Sequence, residues 1–251
     1  MKRMLQLGNP FISFLFMALA AAGPVHAAGD EGWTDLSTLD GWKQPTGKWQ
    51  VVGNVTLDSK NPKMLLPGQG AGVLWNGPSG KTANLVTRQK FGDLEVHLEF
   101  MIPRRSNSGV KFEGLYEIQL YDSHGVKKPT ASDCGGIYPR AELEPRYHHI
   151  DDGIPPRVNA ARAAGEWQTL DVIFLAPRFD AGGKKTASAR FVKVVLNGQV
   201  VHENVEVKTP TGHAWKDKEI PVGPLLLQAD HGPVAFRAIK VRPYTDGNLK
   251  R

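Results

Sequence analysis

In the segment Tyr116-Glu117-Ile118-Gln119-Leu120-Tyr121-Asp122, carboxylate, amide and phenol side chains recur at every second residue. Successive side chains of an extended chain point to opposite faces, so Glu117, Gln119 and Tyr121 share one side and Tyr116, Ile118 and Leu120 the other. A bulge near Tyr121 would turn Asp122 onto the polar side as well. Two carboxylates and an amide in one row can supply a nucleophile, a general acid or base, or a metal ligand to chemistry on a sugar. Alternation alone also produces the wet outer face of a half-buried strand, so the row needs companions before it becomes a site.

Candidate companions lie elsewhere in the chain. Leu225-Leu226-Leu227-Gln228-Ala229-Asp230-His231-Gly232 is an apolar run that turns polar at its end, as a strand does where it leaves a core. His231 there has the chemistry of a proton carrier near neutral pH or of a metal ligand. Arg237, among the apolar neighbours of Val234-Ala235-Phe236-Arg237-Ala238-Ile239, either snorkels at an edge or lies against a carboxylate. If that carboxylate is Glu117, the pairing lowers its pKa and argues against a general acid. Asn107-Ser108-Gly109 and Cys134-Gly135-Gly136-Ile137-Tyr138 flank the Glu117 segment in sequence and are expected to be loops crowding the same end. His148-His149-Ile150-Asp151-Asp152 has metal-binding residue types but no partner spacing, so these histidines stay unassigned. Six tryptophans are many for this length; some are expected in the core, and because indole faces stack on sugars one or two are expected to line a cleft. There is no Gly-x-Ser-x-Gly elbow, no phosphate-cradling glycine loop before a helix and no His-Glu-x-x-His, which sets aside serine-hydrolase, nucleotide and zinc-protease chemistry.

The elements that must position these residues read as strands. In Leu94-Glu95-Val96-His97-Leu98-Glu99-Phe100 the apolar residues share one face and the charged ones the other. Phe191-Val192-Lys193-Val194-Val195-Leu196, then Asn197-Gly198, then Gln199-Val200-Val201 has the preferred two-residue hairpin turn. Further strands are expected over 50–55, 64–66, 84–87, 116–121, 169–174, 225–230 and 234–241. Ten or so short strands suit an all-β sandwich of two packed antiparallel sheets. Residues 123–164 and 179–189 break the rhythm and read as irregular; a long loop at one end of a rigid sandwich is a usual place for function.

The chain opens Met1-Lys2-Arg3, runs through an apolar stretch to Ala22 and reaches Val25-His26-Ala27. That pattern is expected to be a signal peptide over 1–27, followed by a single domain over 28–251, periplasmic or secreted. The apolar stretch is too short for a retained membrane anchor. Losing Lys2 and Arg3 would lower the formal charge from +6 to +4, a scattered surplus that does not suit a nucleic-acid groove. Cys134 is the only cysteine, so no intramolecular disulfide can form and stability must come from an ordinary core.

Phe91-Gly92-Asp93-Leu94-Glu95-Val96, Asn107-Ser108-Gly109-Val110, Tyr116-Glu117-Ile118-Gln119, Gly136-Ile137-Tyr138, Gly165-Glu166-Trp167-Gln168, Leu196-Asn197-Gly198, Leu227-Gln228-Ala229-Asp230-His231 and Phe236-Arg237 occur in this order. Taken together over about 33–243, they resemble the 3-keto-disaccharide hydrolase domain family. The resemblance implies a concanavalin-like jelly roll and action on glycosides whose 3-hydroxyl is already a ketone. A 3-ketone acidifies the C2 hydrogen; a base removes it, the C1 substituent departs, and water addition completes a net hydrolysis unless the reaction stops at elimination. Carried over residue by residue, Glu117 is a base or metal ligand and His231 a ligand or proton carrier. Asn107, Gln119, Asp122, Tyr138, Gln228 and Arg237 bind or orient the sugar, and a divalent metal ion held by Glu117 and His231 polarises the ketone. Two alternatives stand beside this reading. Glu117-x-Gln119-x-x-Asp122 is similar in spacing to the Glu-x-Asp-x-x-Glu of retaining β-glucanases, although an amide replaces the helper acid. A non-catalytic carbohydrate-binding module would share the fold.

Overall fold

Alternation along the sequence becomes two sheets because each strand has one apolar face to hide. The computed structural model describes residues 32–245; the expected signal peptide lies outside them. In chain order the strands are β1 (Thr34–Asp35), β2 (Gln50–Leu57), β3 (Leu65–Trp75), β4 (Leu85–Phe91), β5 (Leu94–Met101), β6 (Asn107–Phe112), β7 (Tyr116–Tyr121) and β8 (Ala141–Glu142). They continue with β9 (His148–His149), β10 (Gln168–Leu175), β11 (Arg178–Phe179), β12 (Lys185–Ala187), β13 (Ala189–Leu196), β14 (Gln199–Val207), β15 (Gly223–Leu227) and β16 (Ala235–Pro243). An eight-stranded sheet runs β14-β13-β10-β5-β16-β3-β2, with β1 paired to β16. A four-stranded sheet runs β4-β15-β6-β7. All ladders are antiparallel, which gives the expected jelly-roll sandwich.

The core lies between the sheets. Leu98 and Phe100 of β5, Phe174 of β10, Phe191 of β13 and Phe236 of β16 meet Val110 and Phe112 of β6, Tyr116, Ile118 and Leu120 of β7, and Leu225 and Leu227 of β15. The ring of Phe112 sits 5.0 Å from that of Phe174 and 5.4 Å from that of Phe191, so the sheets interlock through aromatic contacts. Each such ring contributes about 1.5–3 kcal/mol by burial, which lets the sandwich stand with Cys134 buried and unpaired.

Several expected boundaries move. β3 extends to Trp75 through Pro67-Gly68-Gln69-Gly70-Ala71-Gly72, a stretch whose glycines hid a strand that pairs with β2 around a bulge. Asn107-Ser108-Gly109, expected as a loop, begins β6. The strand expected over 225–230 ends at Leu227. The two irregular stretches carry short hairpins, β8–β9 and β11–β12.

At the β6–β7 turn Glu113 has a φ of 56° and is only 5% exposed, and neither carboxyl oxygen has a partner among the described residues. Burial pushes its pKa up to about 8, helped by the carboxylates of Glu219 and Asp93 and opposed by Arg178. Nearby, the Tyr116 hydroxyl donates to Glu219 Oε1 at 2.5 Å.

Candidate active site

The outer face of the four-stranded sheet gathers the polar residues that alternation keeps out of the core. On β7, Tyr116, Ile118 and Leu120 enter the core, while Glu117 and Gln119 point away from it. They are nevertheless only 3% and 2% exposed, because loops close over them. The β6–β7 register sets Lys111 opposite Glu117, Gly109 opposite Gln119 and Asn107 opposite Tyr121. β15 brings Leu226 opposite Lys111, and just past its end Gln228 N–H donates to Gly109 O at 2.9 Å.

A loop supplies one more column at the free edge of β7. Ile137 bridges Ile118, Gln119 N–H donates to Gly136 O at 2.9 Å, and Tyr138 N–H donates to Glu117 O at 3.1 Å. Because Ile118 and Ile137 both enter the core, Tyr138 and Glu117 stand side by side on the outer face. One row across the sheet therefore reads Tyr138, Glu117, Lys111, Leu226, and the next reads Gly136, Gln119, Gly109, Gln228. The buried His202 ring anchors this loop through Nε2, 2.7 Å from Gly135 O, and burial lowers its pKa to about 4. Thr211 Oγ1 accepts the N–H of Glu117 at 3.0 Å.

Gly109 leaves the space into which the Glu117 carboxyl leans; a Cβ there would lie 2.1 Å from Glu117 Oε1. Glu117 Oε2 is 3.2 Å from Lys111 Nζ. Burial raises the pKa of Glu117, the Lys111 ammonium pulls it down, and His231 and Asp230 act on it in opposite directions. Glu117 is thus a desolvated carboxyl that Lys111 keeps chargeable. Gln119 Oε1 and Gln228 Oε1 are buried acceptors with no donor among the described residues, and Gln119 Nε2 donates to Ser132 O at 3.3 Å. A buried acceptor left empty costs about 1–3 kcal/mol. A ligand bearing hydroxyl donors would recover that cost.

The loop after β15 delivers His231. Asn76, fully buried, donates to Gly232 O at 2.8 Å and accepts from Val234 N–H at 3.0 Å. Ser106 Oγ donates to Pro233 O at 2.6 Å, and Gly232 packs so tightly on Ser106 and Asn107 that a Cβ would lie 2.4 Å from Ser106 Oγ. His231 is exposed and its Nδ1 is 2.6 Å from Asp230 Oδ1.

Glu117, Gln119, Asn107, Tyr138, Gln228 and His231 accordingly share one region. Asp122 and Arg237 do not join it. β7 is regular to Tyr121, without the expected bulge, and Asp122 Oδ2 accepts Arg105 N–H at 2.9 Å to hold the turn before β6. Phe236 enters the core, so Arg237 points outward from the opposite sheet. There its Nε donates to Glu99 Oε2 at 2.6 Å and its guanidinium stacks 4.0 Å from the Trp167 ring. Its carboxylate partner is Glu99, not Glu117.

Sequence reasoning missed Lys111, although Asn107, Gly109 and Lys111 already alternate in Asn-Ser-Gly-Val-Lys-Phe. It also missed Thr211 and Asn76, which act through backbone contacts that no motif announces. The tryptophans divide between core and cation partners. Trp42, Trp49 and Trp75 are buried, while Trp33 lies under Arg242, Trp167 under Arg237, and Trp215 near Arg140 and Lys216.

The donor set does not fit a resident divalent cation at Glu117 and His231. Lys111 already neutralises Glu117, and among the described residues no group of three or more His, Cys, Asp or Glu stands ready to hold an ion. A cleft of about 740 Å³ opens beside the site, lined by Ala131, Ser132, Pro139, His149 and Asp151 among others, and is large enough for a sugar unit. A second cleft of about 440 Å³, bordered by Arg178, Lys185 and Arg190, offers cations already paired with Asp93, Glu219 and Glu206.

Against known families, residues 32–242 match the 3-keto-alpha-glucoside-1,2-lyase-like domain. A candidate glycosyl hydrolase from Parabacteroides distasonis is 25% identical, with 78% of this chain and 79% of that chain covered and a TM-score of 0.56. Another from the same organism is 15% identical over 85% of this chain and 95% of its own, with a TM-score of 0.51, and shares the fold. Comparison with curated proteins returned no match.

Proposed function

The chain belongs to the 3-keto-alpha-glucoside-1,2-lyase-like family, and from that premise we propose that this carbohydrate-acting enzyme cleaves 3-keto-glycosides, 3-keto-disaccharides among them. Glu117 removes the C2 proton, the electrons form the C2–C3 enolate, and the C1–O bond then breaks as the ketone is restored and a C1=C2 double bond forms. Adding water across that bond gives net hydrolysis. The observation that carries the reading is the buried Glu117 carboxyl beside the Lys111 ammonium. Desolvation makes the carboxylate a stronger base, and the ammonium opposes that rise and can donate a hydrogen bond to the developing enolate oxygen. Gln119 and Gln228 offer acceptors to sugar hydroxyls; Asn107 and His231 close the same region.

Nothing in the geometry favours the retaining-glucanase alternative, because Asp122 is committed to Arg105 N–H. The protein acts outside the cytoplasm after loss of 1–27, which N-terminal sequencing of the exported form would check.

Purified protein incubated with a 3-keto-glucoside and with its unoxidised parent should release the aglycone from the keto form alone, at a rate unchanged by chelator. Release from the parent sugar would sink the elimination mechanism, and loss of activity on chelation would sink the role given to Lys111. Sugar binding without turnover of either compound would make the protein a binding module.

A further inference from the structure

The Tyr138 hydroxyl lies 2.9 Å from the Tyr147 hydroxyl and 3.2 Å from His149 Nε2. The His149 ring stands edge-on to both phenols, with centroids 5.3 Å from Tyr138 and 5.7 Å from Tyr147. The β8–β9 hairpin presents this cluster: Ala141 pairs with His149, and Arg140 Nε grips Asp151 Oδ2 at 2.6 Å. Tyr138 therefore touches the Glu117 row on one side and an exposed imidazole on the other. Burial, the Tyr147 hydrogen bond and the charge of Glu117 all hold the Tyr138 phenol in its protonated form.

Elimination needs a base at C2 and, when the departing oxygen would otherwise leave as an alkoxide, an acid at C1. Glu117 fills the first role; a separate acid at C1 protonates the departing oxygen without one carboxyl having to reach both C2 and the C1 substituent. Resting on the elimination reading above, we infer that Tyr138 protonates the departing C1 oxygen and that His149 returns the proton to Tyr138 from solvent. As the C1–O bond breaks, its electron pair stays on the aglycone oxygen, which takes the Tyr138 proton; His149 then reprotonates the tyrosinate and is itself recharged by water. Glu117 releases the C2 proton to solvent, so the cycle closes with no net proton gained or lost. His149 acts through Tyr138 and is a positioning and relay residue.

The test compares a methyl and a nitrophenyl 3-keto-glucoside, since nitrophenolate departs without a proton and methoxide does not. Tyr138→Phe should lower kcat on the methyl substrate by about 100-fold or more, the usual worth of a general acid, with KM within about twofold, and leave nitrophenyl turnover within a few fold. His149→Gln, which keeps a hydrogen-bonding nitrogen but cannot titrate, should show the same leaving-group pattern in weaker form. Equal losses on both substrates, or no loss on either, would overturn the relay while leaving the elimination intact. A wild-type protein inert toward both substrates would instead remove the elimination reading and the relay with it. Retained nitrophenyl turnover also shows that each variant is folded.

Discussion

Lys111→Met removes the ammonium that sits 3.2 Å from Glu117 Oε2 while keeping most of the side-chain bulk. The two side chains are only 13% and 4% exposed, so solvent screens them weakly. At an effective dielectric of ~20, unit charges at that separation attract by ~5 kcal/mol. Breaking one side of a buried pair costs about 3–5 kcal/mol, a large share of the ~5–15 kcal/mol that holds a domain together. The sign with pH follows from Glu117. Its folded pKa already lies above the unfolded value, and losing Lys111 raises it further. A raised carboxyl does no harm below its unfolded pKa and costs stability as pH climbs above it. Urea unfolding at pH 4.5 and pH 8 should therefore show a deficit of about 3–5 kcal/mol at pH 8 that largely disappears at pH 4.5. In Lys111→Met/Glu117→Gln no charge is left unpaired, and most of the pH 8 deficit should vanish. An equal deficit at both pH values, or a double variant no better than the single, would refute the coupling.

Three further outcomes follow from the geometry. Glu113, with a pKa pushed up to about 8, holds a proton in the folded state that the unfolded chain releases near pH 4.3. Stability should fall across that window by up to about 1.4 kcal/mol per pH unit; Glu113→Gln should flatten the decline in denaturation curves at pH 5, 7 and 9, and an unchanged slope would contradict the assignment. Asp122→Asn and Arg237→Ala should each retain 3-keto-glucoside turnover within about twofold, the latter losing about 1–2 kcal/mol of stability with its Trp167 and Glu99 contacts; a hundredfold drop in either would restore it to the site. Gly109→Ala should nearly abolish turnover with every polar group still present, because the new Cβ meets Glu117 Oε1; wild-type kinetics in this variant would show that the carboxyl need not lean there.

Period-two alternation made β5, β7 and β10 legible, since the residues that face the core are apolar in each, apart from the buried Gln168 at the start of β10. It also placed Glu117 and Gln119 on one face. It could not place Arg237, because a strand pattern states which side of its own sheet a residue takes and not which of two sheets it belongs to. Asp122 was misread for a local reason: its carboxylate serves the Arg105 turn, a contact invisible to spacing. Lys111 escaped notice because Ser-Gly ahead of it suggested a loop. Tyr138 was singled out only by its motif; its role depends on a glycine-containing loop pairing with a strand edge, which periodicity does not encode.

That loop edge has a second consequence. β7 ends the four-stranded sheet, and the backbone of 135–138 covers its outer hydrogen-bonding side. An uncovered strand edge is a template for pairing with another chain. The segment that carries Tyr138 therefore also covers an edge that could otherwise pair with another chain, and the His202 ring that holds Gly135 helps fix it there. Lesions that loosen the segment should cost catalysis and colloidal behaviour together, so a screen for clear, unaggregated solutions would select for an intact 135–138 segment without any substrate present.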